Sequence, residues 1–182
     1  MFEWLKSVLG KPANSSMKPP WTEAGMRELT QDSPELNAFR AESGNVLHIL
    51  GNPDKADIAN EDLDAAAGIA VANYASKRTS HYGGHLAGYD RFLTSRRMIL
   101  KSEDYLHIYD RKTETDLNCI HLFSLPTDPA KTLWARVLVD SAGKKAIVVT
   151  ENTFMEETAR NRWWLVREDG EWKIDYFEPI FN

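Results

Sequence analysis

Cysteine and long apolar runs are both scarce in this chain of 182 residues. The single cysteine, Cys119, excludes an internal disulfide and any cysteine-based zinc cluster, which is typical of a protein from a reducing compartment. No stretch approaches the ~18 consecutive apolar residues of a membrane span, and the acidic Glu3 interrupts what would be a secretory signal. We therefore expect a cytoplasmic protein with no membrane span.

Clustered basic residues are missing as well. The 22 Lys and Arg residues are dispersed among 27 Asp and Glu residues, for a net charge of -5. This charge balance does not predict the basic surface that nucleic-acid binding needs. It is better suited to a basic protein partner or a small molecule. The sequence also has no Gly-rich phosphate loop, Ser-His-Asp spacing or nucleophile elbow, so we expect no cofactor.

The apolar content of 42% is enough for one core, so a single domain with a short appendage is expected. Phe2, Leu5 and Leu9 fall on one side of a short helix that Gly10 ends. Residues 11–20 have the Pro- and Ser-rich composition of a linker. We predict a helix and linker over residues 1–20 and one domain over residues 21–182.

Helix signals come first within this domain. Thr22 is placed to cap a helix that extends to Thr30, and Ser33 followed by Pro34 starts a second helix. Ser43-Gly44 is expected to stop that helix, and 45–50 is a short apolar segment. The strongest helix prediction covers residues 60–77, where acids stand at the start and bases at the end.

From Tyr105 onward the apolar period changes to two, which predicts strands. The predicted strands are 105–110, 117–123, 133–140, 145–150 and the two arms of a final hairpin. Helices followed by an antiparallel meander define an α+β domain, with N-terminal helices packed on a curved antiparallel sheet of about six strands. Residues 86–100 are compatible with either helix or strand.

The final hairpin is the clearest local signal, because two alternating segments meet at Asp169-Gly170. A two-residue loop there places Arg167 opposite Trp172, Leu165 opposite Ile174 and Trp163 opposite Tyr176. One face of the hairpin is then strongly aromatic, so another element of the fold must pack against it. The other face, which carries Trp164, is expected to be partly exposed to solvent.

The order of helices, antiparallel strands, a Trp-rich segment (163–164), Asp169-Gly170 and the segment Glu171-Trp172-Lys173-Ile174 resembles the nuclear-transport-factor-2-like, or cystatin-like cone, superfamily. The resemblance rests on the last third of the chain. It implies a cone-shaped α+β fold, often homodimeric through the sheet. Members include isomerases, dehydratases, polyketide cyclases, transport modules and bacterial toxin-immunity proteins, so the resemblance does not select an activity.

Candidate proton carriers lie on two of the predicted strands. His107 stands between Tyr105 and Tyr109 on one strand face, and His121 shares a face with Cys119. Enzymes of the resembling superfamily work inside the cone, where apolar walls shift pKa values. If this protein is an enzyme, we expect His107, His121 and Tyr105 to carry the protons.

The segment around His81 and His85 is the second histidine feature. Gly83-Gly84 lies between these histidines and disfavours the helix on which both would face one metal ion, so we expect no metal site. The loop instead offers Tyr82 and Tyr89 as residues for a lid or for contact with a partner.

Two function classes stay open. The first is a non-catalytic binding protein, and within it an immunity-type protein that neutralises a cognate toxin by direct contact. Its expected contact residues are Trp164, as an aromatic anchor, and the acidic stretch Glu151, Glu156 and Glu157, which suits a basic partner. The second class is a small-molecule isomerase, dehydratase or cyclase that acts in the interior of the cone.

Overall fold

A computed structural model describes residues 18–59, 83–102, 104–154 and 156–181 of the protein. These residues form one α-helix, nine strands and four short 3-10 helices. The helix and strands are α1 (Pro34–Ile49), β1 (Arg27–Glu28), β2 (Gly83–His85), β3 (Arg97–Ser102), β4 (Tyr105–Asp110), β5 (Thr115–His121), β6 (Leu133–Val139), β7 (Lys145–Phe154), β8 (Glu157–Glu168) and β9 (Glu171–Ile180). The 3-10 helices are Pro53–Ala56, Ala87–Phe92, Leu122–Ser124 and Pro129–Lys131.

The strands form two antiparallel sheets. One has the order β1-β6-β7-β8-β9, and the other has the order β2-β3-β4-β5. The predicted α+β class is confirmed. The prediction of one sheet with about six strands is wrong, because the described residues form two sheets with nine strands in total. The ambiguous segment 86–100 supplies part of the difference, since it divides into the 3-10 helix Ala87–Phe92 and most of β3.

Helix α1 begins as predicted and ends later. The Ser33 hydroxyl accepts a hydrogen bond from the Leu36 amide at 3.1 Å, and Pro34 is the first helical residue. The expected stop at Ser43-Gly44 is wrong, because the Ser43 hydroxyl donates to the Phe39 carbonyl at 2.7 Å and is satisfied inside the helix. The additional turn places the apolar segment 45–50 against the core, and this burial outweighs the cost of a helical glycine.

Residues 22–30 do not form the expected helix. Arg27 and Glu28 pair instead with Val139 and Leu138 of β6. The Leu29 amide continues this pairing by donating to the Val137 carbonyl at 2.9 Å. The reason is tertiary, because the edge of β6 has backbone groups that need partners, and the short strand β1 supplies them.

The final hairpin has the predicted turn. Asp169 and Gly170 have φ values of 53° and 85°, as a type I′ turn requires. The pairs Arg167–Trp172 and Leu165–Ile174 are confirmed, but the third pair is wrong because Asp175 is an extra residue on β9. Past this bulge the pairs are Trp164–Tyr176 and Trp163–Phe177.

The core lies between α1 and the sheets. The Phe39 ring of α1 packs edge-on against the rings of Trp134, at 6.1 Å, and Trp172, at 5.2 Å. The sheets meet where the Asn118 amide donates to the Tyr176 hydroxyl at 2.9 Å. These contacts position β5 beside β9, and the cleft described below lies between those two strands.

Several predictions fall outside the described residues. They are the short helix and most of the linker in residues 1–17, the helix over 60–77, and the side chains of Tyr82 and His81. The boundary at residue 20 therefore stays a prediction. Within the described ranges, no helix is long and apolar enough to cross a membrane.

Candidate functional site

One face of the four-stranded sheet carries the candidate proton carriers. The register of β4 and β5 pairs Tyr105 with His121 and His107 with Cys119, and paired residues of antiparallel strands point to the same face. The two histidines therefore share one face. Cys119 is buried among them, and burial raises the pKa of its thiol to about 12, which keeps the thiol protonated.

His107 is the centre of a hydrogen-bonded chain across three strands. Its Nδ1 atom contacts Asp116 Oδ2 on β5 at 2.9 Å, and its Nε2 atom contacts the hydroxyl of Ser102 on β3. An ionised Asp116 accepts the proton of Nδ1–H, which leaves Nε2 of the neutral ring to accept from the hydroxyl. The chain links the strands and holds the imidazole in the tautomer that can take a proton at Nε2.

The sequence did not indicate Ser102 or Asp116 as functional residues. They lie on different strands and meet His107 only through the pairing of β3 with β4 and of β4 with β5. Ser102 and Asp116 could have been identified only from a predicted register of all three strands. The spacing of residues along the chain does not contain that register.

A small cleft lies beside this face, where the two sheets meet. It has a volume of about 50 Å³ and is lined by Tyr105 and His121 from one sheet and by Asn161, Ile180 and Phe181 from the other side. His121 is 4% exposed, and the edge of the Tyr105 ring packs against it at 4.9 Å. Burial lowers the pKa of His121 and favours the neutral imidazole.

Three buried polar atoms of the cleft-lining residues have no hydrogen-bond partner among the described residues. They are His121 Nε2, Asn161 Oδ1 and Arg160 Nε, and each has almost no accessible surface. The first two residues each use another polar atom, since His121 Nδ1 accepts from the Phe123 amide at 3.1 Å and Asn161 Nδ2 donates to the Ser124 carbonyl at 2.7 Å. A buried polar group without a hydrogen-bond partner costs about 1–3 kcal/mol, so these atoms lower the stability of the region where the two sheets meet.

A projecting ribbon lies next to the cleft. Strand β6 begins at Leu133 opposite Glu151, and β9 ends at Ile180 opposite Arg160, so residues 152–154 and 157–159 extend beyond both neighbours as a two-stranded ribbon. Thr158 and Ala159 at the base of the ribbon also line the cleft. The ribbon and the cleft therefore form one continuous region of the surface.

The expected acidic stretch divides into two parts. Glu151 is bound by Arg160 at 2.8 Å and so is not available as a free acid. Glu156 and Glu157 lie at the turn of the ribbon, and neither forms an ion pair with the described part of the chain. Glu156 is exposed and Glu157 is half-buried, and Glu156 has a φ of 69°, which the tight turn requires.

Two large apolar side chains are exposed in the same region. Phe181 and Phe123 are each 51% exposed, and the Phe123 ring lies 5.1 Å from the His121 ring. We call the cleft, Phe123, Phe181 and the ribbon turn with Glu156 and Glu157 the distal surface. It combines exposed aromatic area with negative charge that no described residue pairs.

Two of the expected contact residues are buried. Trp164 is 2% exposed, and its indole N–H donates to the Trp21 carbonyl at 3.1 Å. Tyr89 is also in the core, where its hydroxyl donates to the Leu50 carbonyl at 3.1 Å. The expectation that either side chain is exposed for a partner is therefore wrong, because strand alternation does not reveal which elements cover a face.

A larger cleft of about 500 Å³ lies at the other end of the final hairpin. Its charges are mutually compensated, since Arg167 pairs with Glu42 and Lys173 lies 2.9 Å from Glu171. This cleft therefore has no unpaired charge from these four side chains to select a ligand. Among the described residues, no group of three or more His, Cys, Asp or Glu side chains is arranged to hold a metal ion.

Comparison with known proteins adds no further assignment: no family model, no curated protein and no solved structure matches this chain.

Proposed function

We propose that this protein is a non-catalytic binding protein that contacts a protein partner through the distal surface. The observation that carries the proposal is the coincidence, in one region, of two half-exposed phenylalanine rings with the carboxylates of Glu156 and Glu157, which have no ion-pair partner among the described residues. Exposed aromatic side chains are the residues that anchor protein interfaces most often. The ribbon continues past the ends of β6 and β9, so neither of these strands pairs with it there.

The charge of the distal surface supports a basic partner. An exposed carboxylate with no ion pair loses no existing interaction when it meets a Lys or Arg side chain. The net charge of -5 adds a long-range attraction of the same sign. These charges raise the association rate at low ionic strength more than they raise the final affinity.

Within this class we propose an immunity-type protein that acts in the cytoplasm and covers the active surface of a cognate toxin. This narrower proposal rests on the resemblance of the final hairpin (163–174) to the nuclear-transport-factor-2-like superfamily. It does not rest on the geometry of the distal surface, which fits a basic protein of any role. A homodimer through the sheet is the arrangement that the same resemblance implies.

Copurification followed by charge reversal tests the proposal. The tagged protein is recovered from its native cytoplasm at moderate salt, and a partner is accepted when it elutes near one-to-one and binds again as a purified protein. Glu156→Lys with Glu157→Lys should then weaken the binding about tenfold at low salt and reduce its salt dependence, because two attractive charges become repulsive.

Glu114→Lys with Glu171→Lys is the matched control. Glu114 lies in the turn before β5 and Glu171 is the first residue of β9, so both are at the ends of these strands opposite the cleft, and this pair of substitutions makes the same change in net charge. Of the two, Glu171 has an ion-pair partner, Lys173, at 2.9 Å. The control should keep the affinity of the unmodified protein. Equal losses in both double variants would mean that net charge alone acts, and no loss in either would remove the distal surface from the interface.

A second candidate function is proton transfer at His107, as in an isomerase, dehydratase or cyclase. The observation that favours it is the hydrogen-bonded chain from Asp116 through His107 to Ser102. For any substrate that the protein turns over, His107→Gln should remove the activity, while partner binding at the distal surface stays unchanged. Turnover that survives His107→Gln would exclude this role.

A further inference from the structure

The hydroxyl proton of Ser102 can be assigned from the histidine beside it. His107 Nδ1 contacts Asp116 Oδ2 at 2.9 Å, and an ionised carboxylate can only accept, so Nδ1 carries the proton of the neutral ring. Nε2 is then an acceptor, and the Ser102 hydroxyl that contacts it donates. Among the described residues this hydroxyl contacts no second acceptor, so its proton is directed at Nε2.

The three side chains have the order of a nucleophile, a base and a group that orients the base. In nucleophilic catalysis the base lies within hydrogen-bond reach of the nucleophile, and a third group holds the base in the required tautomer. Ser102, His107 and Asp116 occupy these positions on β3, β4 and β5. Ser102 meets His107 diagonally across the pairing of β3 with β4, because its direct partner is Tyr105.

We infer that Ser102 is a nucleophile for acyl transfer and that its substrates are carboxylic esters. Ser102 Oγ bonds to the ester carbonyl carbon while its proton passes to His107 Nε2. The bond between that carbon and the alcohol oxygen then breaks, and Nε2 gives the proton to the leaving oxygen, which leaves the acyl group on Ser102. Water attacks the acyl group and gives a proton to Nε2. The carboxylic acid is released as Oγ takes this proton back.

The end of β3 that carries the hydroxyl lies at the surface of the sheet edge. Ser102 is the last residue of β3, and its partner Tyr105 is the first residue of β4, so Ser102 borders the tight turn between these strands. Ser102 is half-buried, and the Asp116 side chain is 26% exposed. His107 is 8% exposed. The base is therefore shielded from water, whereas the residue that carries the nucleophile is partly open to solvent.

A neutral ester fits these surroundings better than an anionic one. Asp116 lies across the imidazole from the reacting oxygen, and Asp104 is an exposed acid in the adjacent turn. Both carboxylates repel a negatively charged substrate. Lys101 precedes Ser102 in β3, but strand alternation places its side chain on the opposite face of the sheet.

Covalent labelling of the full-length protein tests the inference. Diisopropyl fluorophosphate reacts with a nucleophilic serine, since the serine oxygen bonds to phosphorus as the phosphorus–fluorine bond breaks and fluoride leaves. We expect a single adduct by intact mass, and peptide mapping should place it on Ser102. Ser102→Ala should remove the adduct. Ser141→Ala, in the exposed turn between β6 and β7, is the matched control and should keep it.

Hydrolysis of p-nitrophenyl acetate measures the roles of the other two residues. His107→Gln should lower the rate at least about 100-fold, because it removes the base. Asp116→Asn should also slow the reaction, because an amide N–H directed at Nδ1 moves the ring proton to Nε2, where it blocks proton transfer from the hydroxyl. The rate in the unmodified protein should increase with pH in a step that His107→Gln abolishes, which a structural role would not produce. Melting temperatures verify that each variant is folded.

The inference is overturned if the folded protein gains no adduct on Ser102, or if Ser102→Ala hydrolyses the ester as fast as the unmodified protein. Either result would mean that the chain only joins three strands. The inference does not depend on the proposed binding function, and neither result affects the copurification experiment. Hydrolysis at Ser102 would mean that the protein is not only a binding protein, and it would leave the assignment of the distal surface unchanged.

Discussion

Arg97 holds together the buried polar network behind the final hairpin, and its replacement by Met should destabilise the protein strongly. Arg97 is 6% exposed and donates to the Asp175 carbonyl at 2.7 Å and to Asp175 Oδ2 at 3.2 Å. It also donates to the buried carboxylate of Asp110. Thr94 completes the network by donating to Asp175 Oδ1 at 2.7 Å.

The expected loss in Arg97→Met is about 3–5 kcal/mol of unfolding free energy, which is the usual cost of removing one partner from a buried ion pair. Two carboxylates would lose their common cation. Asp175 would be affected more, because Asp110 keeps its ion pair with Arg96 and the backbone N–H groups of the following turn. The loss is large against the ~5–15 kcal/mol that holds a typical domain folded.

Urea unfolding followed by the fluorescence of the six tryptophans measures this loss. With a slope of about 2 kcal/mol per molar urea, the midpoint should fall by roughly 1.5–2.5 M. Arg97→Met combined with Asp110→Asn and Asp175→Asn should recover a large part of it, because no buried charge is then unpaired. A loss below about 1 kcal/mol in the single variant, or no recovery in the triple variant, would refute this account of the network.

Two other predictions concern titratable groups. Burial raises the pKa of the Cys119 thiol to about 12, so a thiol reagent at pH 8 should leave it unmodified until urea unfolds the chain; rapid labelling of the folded protein would contradict the described packing. Burial also lowers the pKa of His48, so as pH falls below about 6.5 the unfolded chain gains a proton that the folded chain does not, and stability decreases. His48→Gln should reduce that decrease between about pH 7.5 and 5.5 in urea titrations, and an unchanged slope would exclude His48 as its source.

Local signals in the sequence were sufficient for the final hairpin up to its bulge. Asp169-Gly170 specifies the turn type, because positive φ at both central residues favours these residue types. The first two cross-strand pairs follow from the turn by counting. The third pair, Trp163 with Tyr176, does not follow, because Asp175 is displaced by bonds to residues about 80 positions earlier in the chain.

The candidate site was only partly predictable for the same reason. The sequence indicated His107 and His121 on neighbouring strand faces, and the register of β4 and β5 places them there. It could not indicate Asp116 or Asn161, since their roles depend on which strand lies beside which. The buried state of Trp164 was missed because its cover, Trp21, is 143 positions away.

The sequence by itself determined the properties that depend on near neighbours: the α+β class, the Ser33 start of α1, the type I′ turn, the strand alternation and the negative charge of the ribbon turn. The tertiary structure alone decided that residues 27–29 join the edge of β6, that Asp175 forms a bulge, and that His121 and Asn161 line one cleft. The physical reason is the range of the interactions. Turn and cap geometry is set within about four residues, whereas burial and hydrogen-bond satisfaction depend on elements that meet only in the folded chain.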